Sequence, residues 1–569
     1  MKVRGYMLMF CFLFFASFSP AGCQETEKKQ DALLKPMEPY GGFIRKLDIG
    51  KQIWTKHSPD AYRWPVKRDH TFSYLPEFLK GKGYILSPMR YSEALVEKAG
   101  YVYVITPTPV EENASNQRFS KSVAGMVVNG RKPPNLNVFP CYISLTEQGF
   151  ERMEDIAEFK LSETVKETVA VYRKYAEKGE IIRYGNPGWG VTVAGLPDDY
   201  KTTETEETKE IEFVKTPAET YINPGKEYAL CSRTYQGLPG IEITPKGRLW
   251  ATWVACNCGV YTEGPRNYWV LVTSDDGGKT WSDPPRLAVQ HPIWTIASID
   301  AVPWHDPSGR LWLFWTQYDV PMDKHNSWGM VTENPESENP RWSKPQSIGK
   351  GTMLNKPTAL STGEWLYCSS IRGNPVDVYI STDKGKTVTH FSEAVVPKAS
   401  WNEHMIVERK DGSLWMLVRS YGDRTGISQT FSYDRGKTWT EGEFYRPGAG
   451  SRFHIRRLKS GRLLLIAHPE GEKNSRVDMT AYLSEDEGKT WPYHLLLYKG
   501  GCSAPDAVEA DDGTIYAVHD AERLGKISGR WVGRMQIILS VFTEEDIMAG
   551  KPVSKNSRLG VAISSHKMQ

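Results

Sequence analysis

The residues best suited to chemistry in this 569-residue chain stand at fixed distances from a repeated turn signal. The signal is a glycine followed two residues later by an apolar residue, and it occurs at Gly247, Gly309, Gly363, Gly412, Gly461 and Gly513. Seven to eleven residues before these glycines come Gln236 to Pro239, Asp300, Asn355 with Lys356, Glu403 with His404, Arg452 with His454, and Cys502 to Asp506. Seven to nine residues after them come Gln317, Arg372, Arg419, His468 and Asp520. If each glycine closes a hairpin, both sets lie at the same end of the strands. Inward charges are costly unless paired or used. Carboxylates there can do acid/base work on a glycosidic bond, and arginines can grip a carboxylate or sulfate in bidentate fashion, so the set suits an anionic sugar. Charges that pair only to hold neighbouring sheets together would give the same residues one by one, and that structural reading stays open for each.

The elements that must position this ring show themselves through a second repeat. Ser274 to Trp281, Ser381 to Val388, Ser432 to Trp439 and Ser484 to Trp491 share the pattern Ser-x-Asp-x-Gly-Lys-Thr, with first serines 107, 51 and 52 residues apart. The double spacing predicts a degenerate copy between the first two, and Thr332 to Trp342 stands there. Asp can bond its own backbone and Gly supplies positive φ, so the pattern reads as a hairpin turn whose aspartates are structural. The six glycine signals are spaced 62, 54, 49, 49 and 52 residues apart. One unit of some fifty residues then holds two hairpins, a four-stranded sheet, and six such sheets predict an all-β chain with a six-bladed β-propeller over residues 226–550.

Composition agrees with an ordered, exported protein. With 40% hydrophobic and 24% charged residues the chain is not disordered, and 71 Lys+Arg against 68 Asp+Glu, net +3, leaves no electrostatic footprint for nucleic acid. Lys2 and Arg4 precede an apolar run from Tyr6 to Phe18, and Ala21 and Gly22 stand before Cys23. This reads as a signal peptide over residues 1–22, with Cys23 the lipidated first residue of a bacterial envelope lipoprotein, although Pro20 stands where Leu is usual; ordinary secretion is the alternative. Membrane contact is expected only through that N-terminal lipid. Residues 23–39 read as a linker, 40–200 as a β-sandwich-like accessory domain, 201–225 as a second linker and 551–569 as a C-terminal tail. The segment Glu163 to Lys178 fits a strand or a short helix. Six scattered cysteines outside the leader read as buried thiols, and Cys256-x-Cys258 lacks a second pair at zinc spacing, so no metal, no cofactor and a monomer are expected.

The four Ser-x-Asp boxes on a sixfold pattern resemble the sialidase (neuraminidase) superfamily, where they are called Asp-boxes or BNR repeats. The resemblance implies a glycosidase with three arginines on a substrate carboxylate, a Tyr nucleophile activated by a Glu, and an Asp acid/base on a loop. Glu403 to Arg419 is similar to the family segment carrying the activating Glu and the second Arg. Arg476, between His468 and the last box, matches the third Arg, and Glu263 stands in the loop where the Asp is expected. Two departures follow. Gln236-Gly237-Leu238-Pro239 lacks the first arginine, with Asp520 at the Glu that would steady it, and Gly501-Cys502-Ser503 lacks the tyrosine. The resemblance thus implies an exported, exo-acting glycoside hydrolase acting on an acidic or unusual terminal sugar. Glu263, Glu403 and Asp506 are its candidate catalytic groups. Arg419, Arg476, Asp300, Gln236, Cys502 and Asp520 are its candidate substrate contacts. A non-catalytic glycan-binding lipoprotein and a true exo-α-sialidase are the alternatives.

Overall fold

The computed structural model describes residues 30–51, 72–107, 145–160, 168–200 and 213–565, apart from short stretches within them. The leader, Cys23, Cys141 and Arg372 lie outside the described residues.

The chain is all-β, and its C-terminal two thirds repeat one antiparallel unit. The first unit runs Tyr235–Ile243, Leu249–Cys256, Tyr268–Ser274 and Leu287–Gln290. Further units follow from Ile296–His305 to Gln346–Lys350, from Thr358–Ala359 to Thr389–Ala394, and from Ala399–Glu408 to Glu443–Pro447. The fifth and sixth share the 17-residue strand Tyr493–Glu509, which is the outer strand of one and the inner strand of the other, within a seven-stranded sheet. Second strands such as Leu249–Cys256 are buried along their whole length. Packing on both faces is why they read as unbroken apolar runs rather than as an alternation. The turn between first and second strands needs a left-handed residue, and Gly412 supplies it at φ +82° with the Gly412 N–H bonded to the Arg409 carbonyl at 2.9 Å.

Successive units are joined by hydrogen bonds near their inner strands. Thr252 Oγ1 donates to the Ala301 carbonyl at 2.6 Å, Met353 N to Thr316 Oγ1 at 3.2 Å, Asn355 Nδ2 to the His404 carbonyl at 3.0 Å and Arg456 Nη1 to the Ala507 carbonyl at 3.1 Å. The sixth unit returns to the first, where Leu238 N donates to Asp520 and Ile241 N to Asp506, both at 2.8 Å.

Each Asp-box is a closed hydrogen-bond set. In the third, Ser432 Oγ donates to Asp434 at 2.9 Å and accepts from Gly436 N at 2.7 Å, while Thr438 donates to Asp434 through both its N–H and its hydroxyl. The Thr438 bonds draw the Asp434 carboxyl down to about 2. The box tryptophans reach the preceding unit: Trp439 Nε1 donates to Ser392 Oγ at 3.1 Å and Trp491 Nε1 to the Tyr445 hydroxyl at 2.6 Å.

In the N-terminal region Leu33–Pro36, Ser92–Lys98 and Ile181–Tyr184 form one sheet, and seven strands between Phe43 and Ala194 form another. The two share a core of Leu34, Val96 and Ile182 against Val102, Val104 and Tyr172. The segment left between strand and helix is the strand Thr168–Ala176.

Three boundaries are corrected. Arg558–Ser565, expected in a tail, is the outer strand of the sixth unit, paired with Gln536–Phe542. Glu219–Ile222, expected in a linker, pairs along Leu287–Gln290 at the edge of the first unit. Leu33–Pro36, expected in the N-terminal linker, pairs with Ser92–Lys98. Short polar-flanked segments like these become strands only because a long-range edge offers unpaired backbone groups.

Candidate active site

Glu403 and Arg419 are brought together by register. In the fourth unit His404 pairs with Val418, the last pair before a bulge, so Glu403 and Arg419 are the next residues of the two strands toward their open end. Arg419 Nη1 lies 2.8 Å from Glu403 Oε1, and both residues are buried. Glu403 Oε2 is itself buried without a hydrogen-bond partner among the described residues, as is Arg419 Nε. A buried carboxylate oxygen left unsatisfied is costly unless a ligand or proton completes it. Burial works against the Arg419 charge, but Glu403 and the Tyr421 hydroxyl outweigh it and raise its pKa.

Tyr421 stands two residues after Arg419, one position past the end of the strand Leu414–Ser420. Arg419 Nη2 donates to the Tyr421 hydroxyl at 3.2 Å, and that hydroxyl donates to the Gly450 carbonyl at 2.9 Å. Arg476 Nη2 donates to the same carbonyl at 3.0 Å. Burial alone would push the Tyr421 phenol up, but the Arg419 guanidinium and then Arg476 bring it below its ordinary value. The Cys502 N–H donates to the Arg476 carbonyl at 3.0 Å, which fixes the chain on which Arg476 is carried. Glu403, Arg419, Tyr421 and Arg476 therefore form one assembly: an anionic oxygen beside two cations linked through a phenol. Tyr421 was not among the sequence candidates, although its spacing from Arg419 was the available signal.

Other candidates stand elsewhere. Asp506 is 1% exposed and accepts from Ile241 N, with Lys356 Nζ at 3.4 Å and His454 Nδ1 at 3.0 Å. Burial would raise its carboxyl, but Lys356 and then His454 hold it well below the usual range. It ties its own unit to three others, and its expected catalytic role is corrected to a structural one: a buried carboxylate already held by a lysine, a histidine ring and a backbone N–H is not free to pass a proton to a substrate. Gln236 is likewise corrected, since it is fully buried and spent on protein groups, donating to the Met535 carbonyl at 2.8 Å and accepting from Ser564 Oγ at 2.9 Å. Asp520, fully buried, accepts from Leu238 N and faces the backbone of the first unit rather than an open site. Asp300 lies buried in a bulge of the second unit at φ +56°. Glu263 is exposed in the loop after Leu249–Cys256. Burial pushes the Cys502 thiol up to about 12, so it is protonated and inert. Cys256 and Cys368 are buried thiols as expected, whereas Cys231 is exposed. Among the described residues, Asp377, His390 and Glu393 bring possible metal-ligand atoms within 4.8 Å of one another, on the third unit's two outer strands.

The sequence pattern of the BNR repeat-like domain family matches residues 247–517, the span that carries all four Asp-boxes. A sialidase of Bacteroides fragilis (strain YCH46) is 24% identical over 316 residues, which are 46% of this chain and 55% of that protein. The matched part of the chain is similar to the sialidase and BNR-repeat superfamily. It spans about half the length of the curated relative it matches. Among solved structures, a protein of unknown function from Dyadobacter fermentans DSM 18053 superimposes with a TM-score of 0.45 at 19% identity, over 57% of this chain and 98% of that one. The intramolecular trans-sialidase from Ruminococcus gnavus gives 0.44 at 15% identity, over 57% and 98%. NanB sialidase from Streptococcus pneumoniae gives 0.44 at 12%, over 79% and 95%.

Against that superfamily pattern, the missing first arginine has a steric reason. A Cβ at Gly237 would lie 3.0 Å from the Tyr235 hydroxyl and 3.3 Å from Asp520 Oδ2, so a side chain there is crowded and both neighbours would have to give way. Around it Tyr235, Leu238, Ile299, Tyr318, Ala504 and Met535 form an apolar cluster. Among the described residues, the arginines of the candidate site, Arg419 and Arg476, stand on the fourth and fifth units.

Proposed function

We propose that this chain is an exported, exo-acting glycoside hydrolase that removes a terminal acidic sugar from a complex glycan. The observation that carries this reading is the buried Glu403–Arg419 pair at 2.8 Å with Arg476 and Tyr421 joined at one carbonyl. Two arginines held in one frame suit a planar carboxylate or a sulfate. Glu403, whose second oxygen has no donor among the described residues, serves as the base or nucleophile partner, and Glu263 on its loop serves as the general acid. The six units are read as blades of one propeller behind a sandwich-like accessory domain, acting as a monomer, with Cys23 as an envelope lipid anchor.

The test is a product screen. The chain from Gln24 onward is incubated with sialylated glycans and with acidic plant and algal polysaccharides, and released monosaccharides are read by mass spectrometry. Release of an acidic monosaccharide, lost in Glu403→Gln, is the expected result. Release of sialic acid itself would make the chain an exo-α-sialidase.

A second reading, a glycan-binding lipoprotein without turnover, is favoured by one specific observation: Cys502 and Asp506, the nearest substitutes for a nucleophile on the sixth unit, are respectively a protonated thiol and a saturated anion. Binding of intact glycan with no product would establish it.

A further inference from the structure

The strand Ala399–Glu408 carries Glu403 near its start, and its last residue, Glu408, lines a cavity of about 800 Å³ that is separate from the site described above. Five residues at about 3.3 Å each put the two some 16 Å apart. Between them lies a charged plug in which Lys356 Nζ stands 3.3 Å from Glu242 and 3.4 Å from Asp506, beside His454. The cavity opens at the turn end of the strands, where Thr244 to Gly247 and Ala510 to Asp512 form its rim. It falls in the size range of small-ligand sites.

Most charges around this cavity are spent. Arg457 is held by Glu487 at 2.7 Å, Lys459 by Asp511 at 2.5 Å, and Glu408 accepts from Ser361. Two wall groups differ. Arg456 gives one hydrogen bond, to the Ala507 carbonyl, and makes no ion pair among the described residues. Glu509 accepts only from Lys459 N at 2.8 Å among the described residues, and burial raises its carboxyl despite the Arg456 and Lys459 charges. At the floor, His454 is 1% exposed and its Nε2 has no hydrogen-bond partner among the described residues, and burial lowers it to about 4, so the ring is neutral. Trp304 and Tyr516 complete the lining.

We propose that this cavity is a second ligand site, which takes a neutral, hydroxyl-rich saccharide unit. A guanidinium and a carboxylate on one wall match a vicinal diol, since each hydroxyl can accept from the first and donate to the second. The aromatic side chains suit the apolar C–H face of a sugar ring. The unspent wall groups are one cation and one anion, and the exposed rim adds one more of each in Lys246 and Asp512, so a ligand of net charge would leave a like charge opposed to it and a neutral unit fits best. The site does not depend on hydrolysis at Glu403, and it would hold a neutral part of a glycan on the face opposite the proposed cleavage.

Saturation-transfer NMR on the full mature chain tests this with glucose, galactose, mannose, fucose and N-acetylglucosamine, and with galacturonate as the charged control. At least one neutral sugar is expected to give a signal that persists in Glu403→Gln and weakens roughly tenfold in both Arg456→Gln and Glu509→Gln. Glu509→Gln keeps an acceptor for Lys459 N, so the test stands if Arg456→Gln fails to fold. Three results would overturn the proposal: no signal from any of the five neutral sugars, a signal lost in Glu403→Gln but kept in the cavity variants, or binding of galacturonate alone. None of these bears on turnover in the product screen, which tests the other site.

Discussion

Arg476 and Tyr421 share one acceptor, the Gly450 carbonyl, which takes a hydrogen bond from the guanidinium at 3.0 Å and from the phenol at 2.9 Å. Because the same phenol accepts from Arg419, the two arginines are parts of one frame rather than independent side chains. Preorganised donors of this kind lower the ordering cost of gripping an anion.

Tyr421→Phe cuts that frame at its middle. The half-saturating concentration of acidic glycan is expected to rise roughly tenfold, equivalent to about 1.4 kcal/mol, with little change in thermal midpoint. Binding isotherms beside melting curves check it, and an unchanged affinity would remove Tyr421 from the clamp.

Glu403 and Arg419 separate chemistry from folding. Glu403→Gln keeps an acceptor for Arg419, so a folded but inactive protein is expected. Arg419→Met instead leaves a carboxylate buried and unpaired, with an expected loss of about 3–5 kcal/mol in urea unfolding. Full turnover in Glu403→Gln would take that residue out of the mechanism.

The crowding at Gly237 makes a two-step prediction. Gly237→Arg alone meets the Tyr235 hydroxyl and is expected to lower stability without tightening carboxylate binding. Tyr235→Ala with Gly237→Arg opens the space beside Asp520, where a new guanidinium gains a carboxylate partner. Sialic acid affinity, measured by calorimetry, is expected to rise in the double variant only. A rise in the single variant would mean that Tyr235 does not block the position.

Stability is expected to fall on mild acidification. Burial lowers His454 and His519 to about 4, below the ordinary histidine value of 6.5. Between those values the unfolded chain binds more protons than the folded one, so the folded state loses stability as pH drops through that window. Urea midpoints at about pH 7 and about pH 4.5 check the sign; equal midpoints would contradict it.

The Asp-box turns were legible in the sequence because they are local: Ser432, Asp434, Gly436 and Thr438 bond to one another within seven residues. Ser432→Ala leaves the buried Gly436 N–H without an acceptor and is expected to cost about 1–3 kcal/mol in chemical denaturation, whereas a neutral result would make the box decorative. Glu403 and Arg419 were legible for a similar reason, since one hairpin sets their register. Asp506 and Gln236 were misjudged because their partners lie in other units: Ile241, Lys356 and His454 for the first, Met535 and Ser564 for the second. A polar residue facing inward looks alike in sequence whether it meets solvent or a neighbouring sheet.

The Asp506 junction also sets a timetable for synthesis. Its carboxylate receives Ile241 N, 265 positions earlier in the chain. The opening unit therefore emerges from the ribosome with its inner strand paired on one side only, to Leu249–Cys256, and its contacts with Asp506 and Asp520 wait until nearly the whole polypeptide has been made. Closure late in translation leaves a long interval in which that exposed strand can pair with the wrong neighbour.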